Sequence, residues 1–297
     1  MKIVFILTSP RSYSSLISSM IGMHPECYPM PELNFLIYKT IGEYLNKSLL
    51  NESYFKDGTL RAVAQIIFGD QTEKSIQEAK QFLQSHKNTS TQNFFDMLIN
   101  RISHRIPIIK APIYSSKLSF LKTLPSNAYF IHLVRHPFDQ YNSMLNLIKL
   151  KYYSLLNKKP SKDKEILIKN TKNLYLTHLA TGYEIYKKEQ HNIITFLDKI
   201  NPQNKYLLKS EDMIADKYTT LKQLCLFLKI STKNVNISQM LMPEKSPYAF
   251  LDSKNPLLGN DPNFLINPIM RLDKKTFSKD LNDIPENLKN LAISLGY

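Results

Sequence analysis

The apolar run Ile3 to Leu7 passes directly into the polar stretch Thr8-Ser9-Pro10-Arg11-Ser12-Tyr13-Ser14-Ser15, and Leu16, Ile17, Met20 and Ile21 follow at the spacing of one helix face. A continuous, partly β-branched apolar run of this length predicts a strand buried on both sides, as in the centre of a parallel sheet. The unit therefore reads strand, polar loop, helix.

The same alternation recurs downstream. Further strands are predicted over Pro107 to Ile109 ending at Lys110, over Tyr129 to Val134 ending at Arg135, and over Tyr206 to Leu208. A helical pattern through Tyr141, Met144, Leu145 and Ile148 follows Arg135, and helices are predicted over Ile76 to Gln84, Thr91 to Ile102, Ile166 to Ile200 and Thr219 to Leu228. Strands alternating with helices predict an α/β fold: a three-layer domain, with a mainly parallel central sheet, helices on both faces and ligands at the carboxyl ends of the strands. There is no internal repeat and no low-complexity linker, so residues 1–297 read as a single domain. Within it, residues 40–105 are expected to be a helical region that shapes the pocket of the accepting substrate. Residues 246–268, rich in Pro, Asn and Asp, read as a loop or lid.

Composition narrows the partners. The 39 Lys and Arg outnumber the 25 Asp and Glu to give a formal charge of +14. Most of the surplus is scattered lysine, with no long basic run and no nucleic-acid signature, so a solvated surface is the reading and nucleic acid is not expected as a partner. Two distant cysteines, Cys27 and Cys225, form neither a CxxC pair nor a disulfide framework, which points to a reducing, cytoplasmic setting without a metal site. Ile3 to Leu7 is too short for a signal sequence, and no segment reaches transmembrane length.

The first loop sets backbone amides, several hydroxyls and the Arg11 guanidinium at a helix N-terminus, which is an anion site by geometry and by the helix dipole. Capping serines alone would account for part of this pattern. The chain has no GxxxxGK[ST] motif, and the loop has no glycine, which argues against a Walker-type ATPase.

Ser9-Pro10-Arg11-Ser12-Tyr13-Ser14-Ser15-Leu16 resembles the phosphosulfate loop of sulfotransferases, commonly written PRSGTTL or PRSGSTL. Phe130-Ile131-His132-Leu133-Val134-Arg135-His136-Pro137-Phe138-Asp139 with Ser143 resembles the 3′-phosphate motif of the same family. Tyr206 to Met213, followed by Leu221 to Leu228, resembles the segment written RYEDLV and the helix after it. A narrower likeness, to bacterial sulfotransferases associated with polyketide and nonribosomal peptide assembly, rests on Pro31 to Leu36, Gln190 to Ile193 before Phe196-Leu197, Gly259 to Leu265 and Ala292 to Tyr297.

The resemblance implies a P-loop-like fold and an enzyme that moves a sulfuryl group from 3′-phosphoadenosine 5′-phosphosulfate (PAPS) to an acceptor hydroxyl. The product nucleotide would be 3′,5′-adenosine bisphosphate. Carried over by position, Arg11, Ser12, Tyr13, Ser14 and Ser15 form the cofactor loop, with Arg11 and the serines on the 5′-phosphosulfate, and Arg135 and Ser143 take the 3′-phosphate. Glu32 matches the catalytic base of glutamate-dependent members, with His24, His132, His136 and His191 as alternatives, of which His24 and His136 read as structural. Lys110, in Ile109-Lys110-Ala111-Pro112, resembles the active-site KxP segment. With Arg11 and Arg135 it would supply the positive charge that magnesium supplies in kinases, so no metal is required.

Three positions depart from the pattern. Tyr13 stands at the usual loop glycine, where a positive backbone angle would be costly, so the loop is expected to take another turn or to lay the ring over the nucleotide. Asn34 stands where relatives of the narrower group carry His, and Tyr186 where a Trp is expected. The acceptor expected is a hydroxylated polyketide, lipid or small alcohol, free or tethered to a carrier protein. The rival readings are a small-molecule kinase using ATP and a non-enzymatic module that binds phosphate.

Overall fold

Strand β1 (Ile3–Thr8) is buried along its whole length, and its side chains alternate between two cores. Ile3, Phe5 and Leu7 enter one, and Val4 and Ile6 the other. A two-residue period with apolar side chains at every position is what a strand covered on both faces requires. The computed structural model of the protein describes residues 2–49, 54–102, 104–118, 120, 128–157, 162–248 and 280–297. The expected lid lies largely outside them, with only Ser246 to Tyr248 described, and so does the segment Gly259 to Leu265.

Around β1 stand β2 (Cys27–Pro29), β3 (Ile106–Lys110), β4 (Ala128–Val134) and β5 (Lys205–Lys209), in the order β2-β3-β1-β4-β5. Every neighbouring pair is parallel. Four of the five strands coincide with sequence expectation. The fifth, β2, is a three-residue edge strand ending in Pro29, too short to show periodicity and placed where a residue without an N–H is tolerated.

Helix α1 (Ser14–Gly22) follows the first loop, and α2 (Ile41–Leu49), α3 (Tyr54–Val63), α4 (Glu73–Ser85) and α5 (Thr91–Arg101) lie between β2 and β3. After β4 come α6 (Pro137–Leu156) and the 36-residue α7 (Lys162–Leu197). After β5 come α8 (Ser210–Ala215), α9 (Lys217–Leu228), α10 (Asn234–Met240) and α11 (Glu286–Ser294).

Leu16, Ile17 and Met20 of α1, Leu221, Leu224 and Leu228 of α9, and Ile237 of α10 pack with Val4, Ile6 and Ile108 on one face of the sheet. Leu60 and Val63 of α3, Leu83 of α4, Phe94 and Phe95 of α5, and Ile193 and Leu197 of α7 pack with Phe5, Ile109 and Phe130 on the other. Because β1 has β3 on one side and β4 on the other, the chain leaves its carboxyl end toward both halves of the sheet, and the crevice there is where ligands bind in such folds. The loop at residues 9–13 fills that position.

Candidate active site

The loop after β1 is held by side chains from three other elements. Gln190 of α7 donates Nε2–H to Ser9 Oγ at 2.9 Å, Gln140 of α6 donates to the Pro10 carbonyl at 2.7 Å, and Arg135 donates Nη1–H to the Arg11 carbonyl at 2.8 Å. Backbone carbonyls that take these bonds are fixed in direction, which holds the loop in one conformation. Ser14 opens α1 and is buried, and the cap position Tyr13 provides no side-chain acceptor for the first-turn amides. The Ser12 hydroxyl is buried and has no hydrogen-bond partner among the described residues. An orphaned buried hydroxyl costs the fold free energy, and an anion seated on the loop would satisfy it.

Lys110 ends β3 opposite Ile6 of β1, and its side chain is fully buried. Its ammonium donates to Ser15 Oγ at 2.8 Å and to Glu32 Oε1 at 2.7 Å, which makes the desolvated charge tolerable. Glu32, 24% exposed, keeps its side chain in reach of solvent. Its backbone is clamped from behind. The next residue's carbonyl, on Leu33, accepts from the buried Tyr114 hydroxyl at 2.8 Å, and Gly58 of α3 packs so closely that a Cβ there would collide with the Glu32 carbonyl oxygen.

At the other end of the loop a second cationic corner forms. Arg11 Nε lies 3.3 Å from Ser143 Oγ, one and a half turns into α6, so the hydroxyl expected at the 3′-phosphate meets an arginine expected at the 5′ end. Arg135, buried where β4 ends, stands beside them with its guanidinium carbon 4.7 Å from the centre of the Tyr13 ring. Tyr13 departs from expectation here. The loop keeps the left-handed turn of a glycine, with φ of 60° at Tyr13 and 69° at Arg11, and the ring packs on Arg135. A left-handed conformation costs an L-residue about 1–2 kcal/mol, and the ring contact offsets part of that.

Further contacts tie other elements to the loop. His132 on β4 is driven by burial down to a pKa of about 4 and is neutral; because Gln190 Oε1 only accepts, the 2.7 Å contact is a donation from His132 Nε2–H. Gln190 passes that bond on to Ser9, so β4, α7 and the loop share one network. Beside it, burial lifts the Glu189 carboxyl to a pKa of about 7 against the Ser9 and Ser115 hydroxyls. Tyr186, at the expected Trp position, is buried and donates its hydroxyl to the Arg135 carbonyl at 3.0 Å. Glu211 of α8 accepts from the His136 amide at 2.8 Å and from the Tyr297 hydroxyl at 2.9 Å, tying the C-terminal segment to the start of α6. Gln190 could have been picked out from the quoted Gln190-His191 segment. Glu211 and Tyr297 lie in segments that carry the resemblance, but their pairing, across 86 residues, has no local signal.

The histidine alternatives to Glu32 lie elsewhere. His24 accepts from the Glu26 amide and contacts the Ser231 carbonyl, a purely structural pairing. His136 is buried against the Tyr297 ring, and His191 is exposed. Asn34 is buried at the start of a short 3₁₀ turn, Asn34–Ile37, two residues beyond Glu32.

Residues 4–234 match a family model described as the sulfotransferase family. The fold is similar to the sulfotransferase domain from the curacin biosynthetic pathway, with a TM-score of 0.70 at 23% identity over 100% of this chain and 98% of that one. It is similar also to the sulfotransferase domain from the Synechococcus PCC 7002 olefin synthase, with a TM-score of 0.66 at 24% identity over 100% and 95% of the two chains. No curated protein matches the chain at a significant level. Among the described residues, no helix is long and apolar enough to cross a membrane.

Proposed function

The chain belongs to the sulfotransferase family, and on that ground we propose that its cleft binds PAPS and that Glu32 is the base for transfer to an acceptor hydroxyl. The observation that carries this reading is Lys110, whose ammonium touches Ser15 of the loop and Glu32 at once. It stands between the place for the donor and the place for the acceptor.

The residues present suit the donor chemically. Ser12 has a buried hydroxyl waiting for an acceptor atom, and Arg11, Arg135 and Lys110 offer three cations around one loop. Guanidinium groups grip phosphate oxygens with paired N–H donors, and serine hydroxyls add donors without charge. In this reading Ser12, Ser14 and Ser15 with the first-turn amides of α1 hold the 5′-phosphosulfate, Arg135 and Ser143 hold the 3′-phosphate, and Arg11, bonded to Ser143, spans the two.

When bound, the donor supplies an activated sulfur whose bond to the 5′-phosphate oxygen breaks as the acceptor oxygen attacks. Glu32 takes the proton from that acceptor oxygen. Lys110 and Arg11 set positive charge against the oxygen on which negative charge grows, already oriented by Ser15 and Ser143. The acceptor is a hydroxyl on an apolar body, a polyketide, lipid or small alcohol, free or carrier-tethered.

The test is Glu32→Gln, which keeps the shape and an oxygen for Lys110. Binding of 3′,5′-adenosine bisphosphate should stay within about twofold. Release of bisphosphate from PAPS with a panel of hydroxylated lipids and alcohols should fall by about 10²-fold or more. Unchanged turnover would remove Glu32 from the mechanism.

A further inference from the structure

The aromatic ring in the cofactor loop has a position that backbone geometry alone works against. Tyr13 holds φ 60° and ψ 19°, a conformation that glycine adopts without cost, and it is the α1 cap residue without making a side-chain cap hydrogen bond. A tyrosine gains nothing there from its backbone or from capping, so any advantage lies in where the ring goes. The ring packs at the edge of the core that holds Val4, Ile6 and Leu16 and reaches Arg135, with 4.7 Å from its centre to the guanidinium carbon.

The geometry points to Tyr13 as a specificity-determining residue: its ring orients Arg135 for a 3′-phosphate and so sets how strongly the site prefers a 3′,5′-bisphosphate nucleotide over a 5′-monophosphate. This inference rests on the donor site proposed above.

Three observations support it. First, the Arg135 guanidinium lies over the Tyr13 ring and donates Nη1–H to the Arg11 carbonyl at 2.8 Å, so ring and carbonyl hold the group from two sides and leave further N–H donors for an anion. Second, the contact is shielded. Arg135 is buried and Tyr13 is partly so, and a cation–π contact strengthens as water is removed. Burial also raises the Tyr13 phenol, in spite of Arg135 beside it, so the ring stays neutral and lends no compensating charge that would weaken a phosphate's hold. Third, Tyr13 and Arg11 are both left-handed in the same short loop, and the Arg11 carbonyl between them is the one that Arg135 takes. The turn that strains Tyr13 is the turn that aims that carbonyl at Arg135.

The experiment measures affinities of the whole chain for 3′,5′-adenosine bisphosphate and for adenosine 5′-monophosphate by titration calorimetry. Wild type, Tyr13→Phe, Tyr13→Leu and Tyr13→Gly are compared, and the readout is the ratio of the two dissociation constants. Tyr13→Phe keeps the ring and should keep the wild-type ratio. Tyr13→Leu and Tyr13→Gly should lose about five- to tenfold of it, through weaker bisphosphate binding with the monophosphate little changed. Tyr13→Gly relieves the left-handed turn, so loss of folding does not confuse the result, and its thermal midpoint should not fall. An unchanged or larger ratio in Tyr13→Gly and Tyr13→Leu overturns the role of the ring while leaving the donor site intact. Failure of the wild type to bind the bisphosphate overturns both.

Discussion

Lys110 Nζ and Glu32 Oε1 lie 2.7 Å apart, with the lysine fully buried and the carboxylate at the edge of solvent. Each therefore depends on the other: the ammonium needs a counter-charge to be buried, and the carboxylate needs a fixed partner to be held in position. Lys110→Gln and Glu32→Gln should consequently not add. Denaturant unfolding of both single variants and the double variant should give a coupling energy of about 1–3 kcal/mol. Additivity within about 0.5 kcal/mol would mean that the two side chains act independently.

Gly58 is the neighbour that gives Glu32 its place. A Cβ at this position would run into the Glu32 carbonyl oxygen and its amide nitrogen, both backbone atoms that have no rotamer to escape through. Gly58→Ala is expected to cost about 1–3 kcal/mol of stability, the usual price of overpacking. Its turnover should fall further than its bisphosphate affinity, because the base is moved and the donor loop is not. Equal losses in both would indicate a general loss of structure.

The Glu189 carboxyl, lifted to a pKa of about 7 by burial, makes stability depend on pH. The groups facing it are the Ser9 and Ser115 hydroxyls and, from its own helix, the Tyr186 phenol. A carboxyl whose folded pKa lies above its unfolded value favours the fold while protonated. That stability is fully present below about pH 4.5 and is lost as the pH rises to about 7, on the order of 3 kcal/mol in all. Glu189→Gln removes the ionisation and keeps the shape. Its melting temperature should match the wild type near pH 4.5 and exceed it at pH 8, and parallel curves would rule out Glu189 as the source.

Glu211 joins the end of the chain to the start of α6 by accepting from the His136 amide and from Tyr297. Tyr297→Phe keeps the ring against His136 and removes one hydrogen bond, which should cost about 1 kcal/mol. Because His136 follows Arg135, bisphosphate affinity should drop a few-fold, and calorimetry would show it. Unchanged affinity would confine the contact to stability.

The parts of the fold and site that could be read from the sequence are those written in consecutive residues. Ile3 to Ser15 shows a buried strand, a loop and a helix because burial on both faces leaves an unbroken apolar run. Arg135 and Lys110 were legible because each closes such a run. β2 was not, since three residues ending in proline show no period. The backbone angle of Tyr13 was not, because side-chain cost argues against a positive φ while the Arg135 contact and the bonds to Ser9, Pro10 and Arg11 impose it. Gln140, Glu189, Gln190, Glu211 and Tyr297 make contacts across 58 to 181 residues, and which polar position pairs with which is set by packing alone.

The central claim is a donor site on the first loop, and thermal unfolding in the presence of EDTA tests it most directly, comparing buffer, 3′,5′-adenosine bisphosphate and ATP. A ligand at 100 times its dissociation constant adds about 2.7 kcal/mol, a shift well above the error of the method. The account predicts a clear rise in melting temperature with the bisphosphate and a smaller one, or none, with ATP. Stabilisation by ATP alone, or by neither nucleotide, would contradict it.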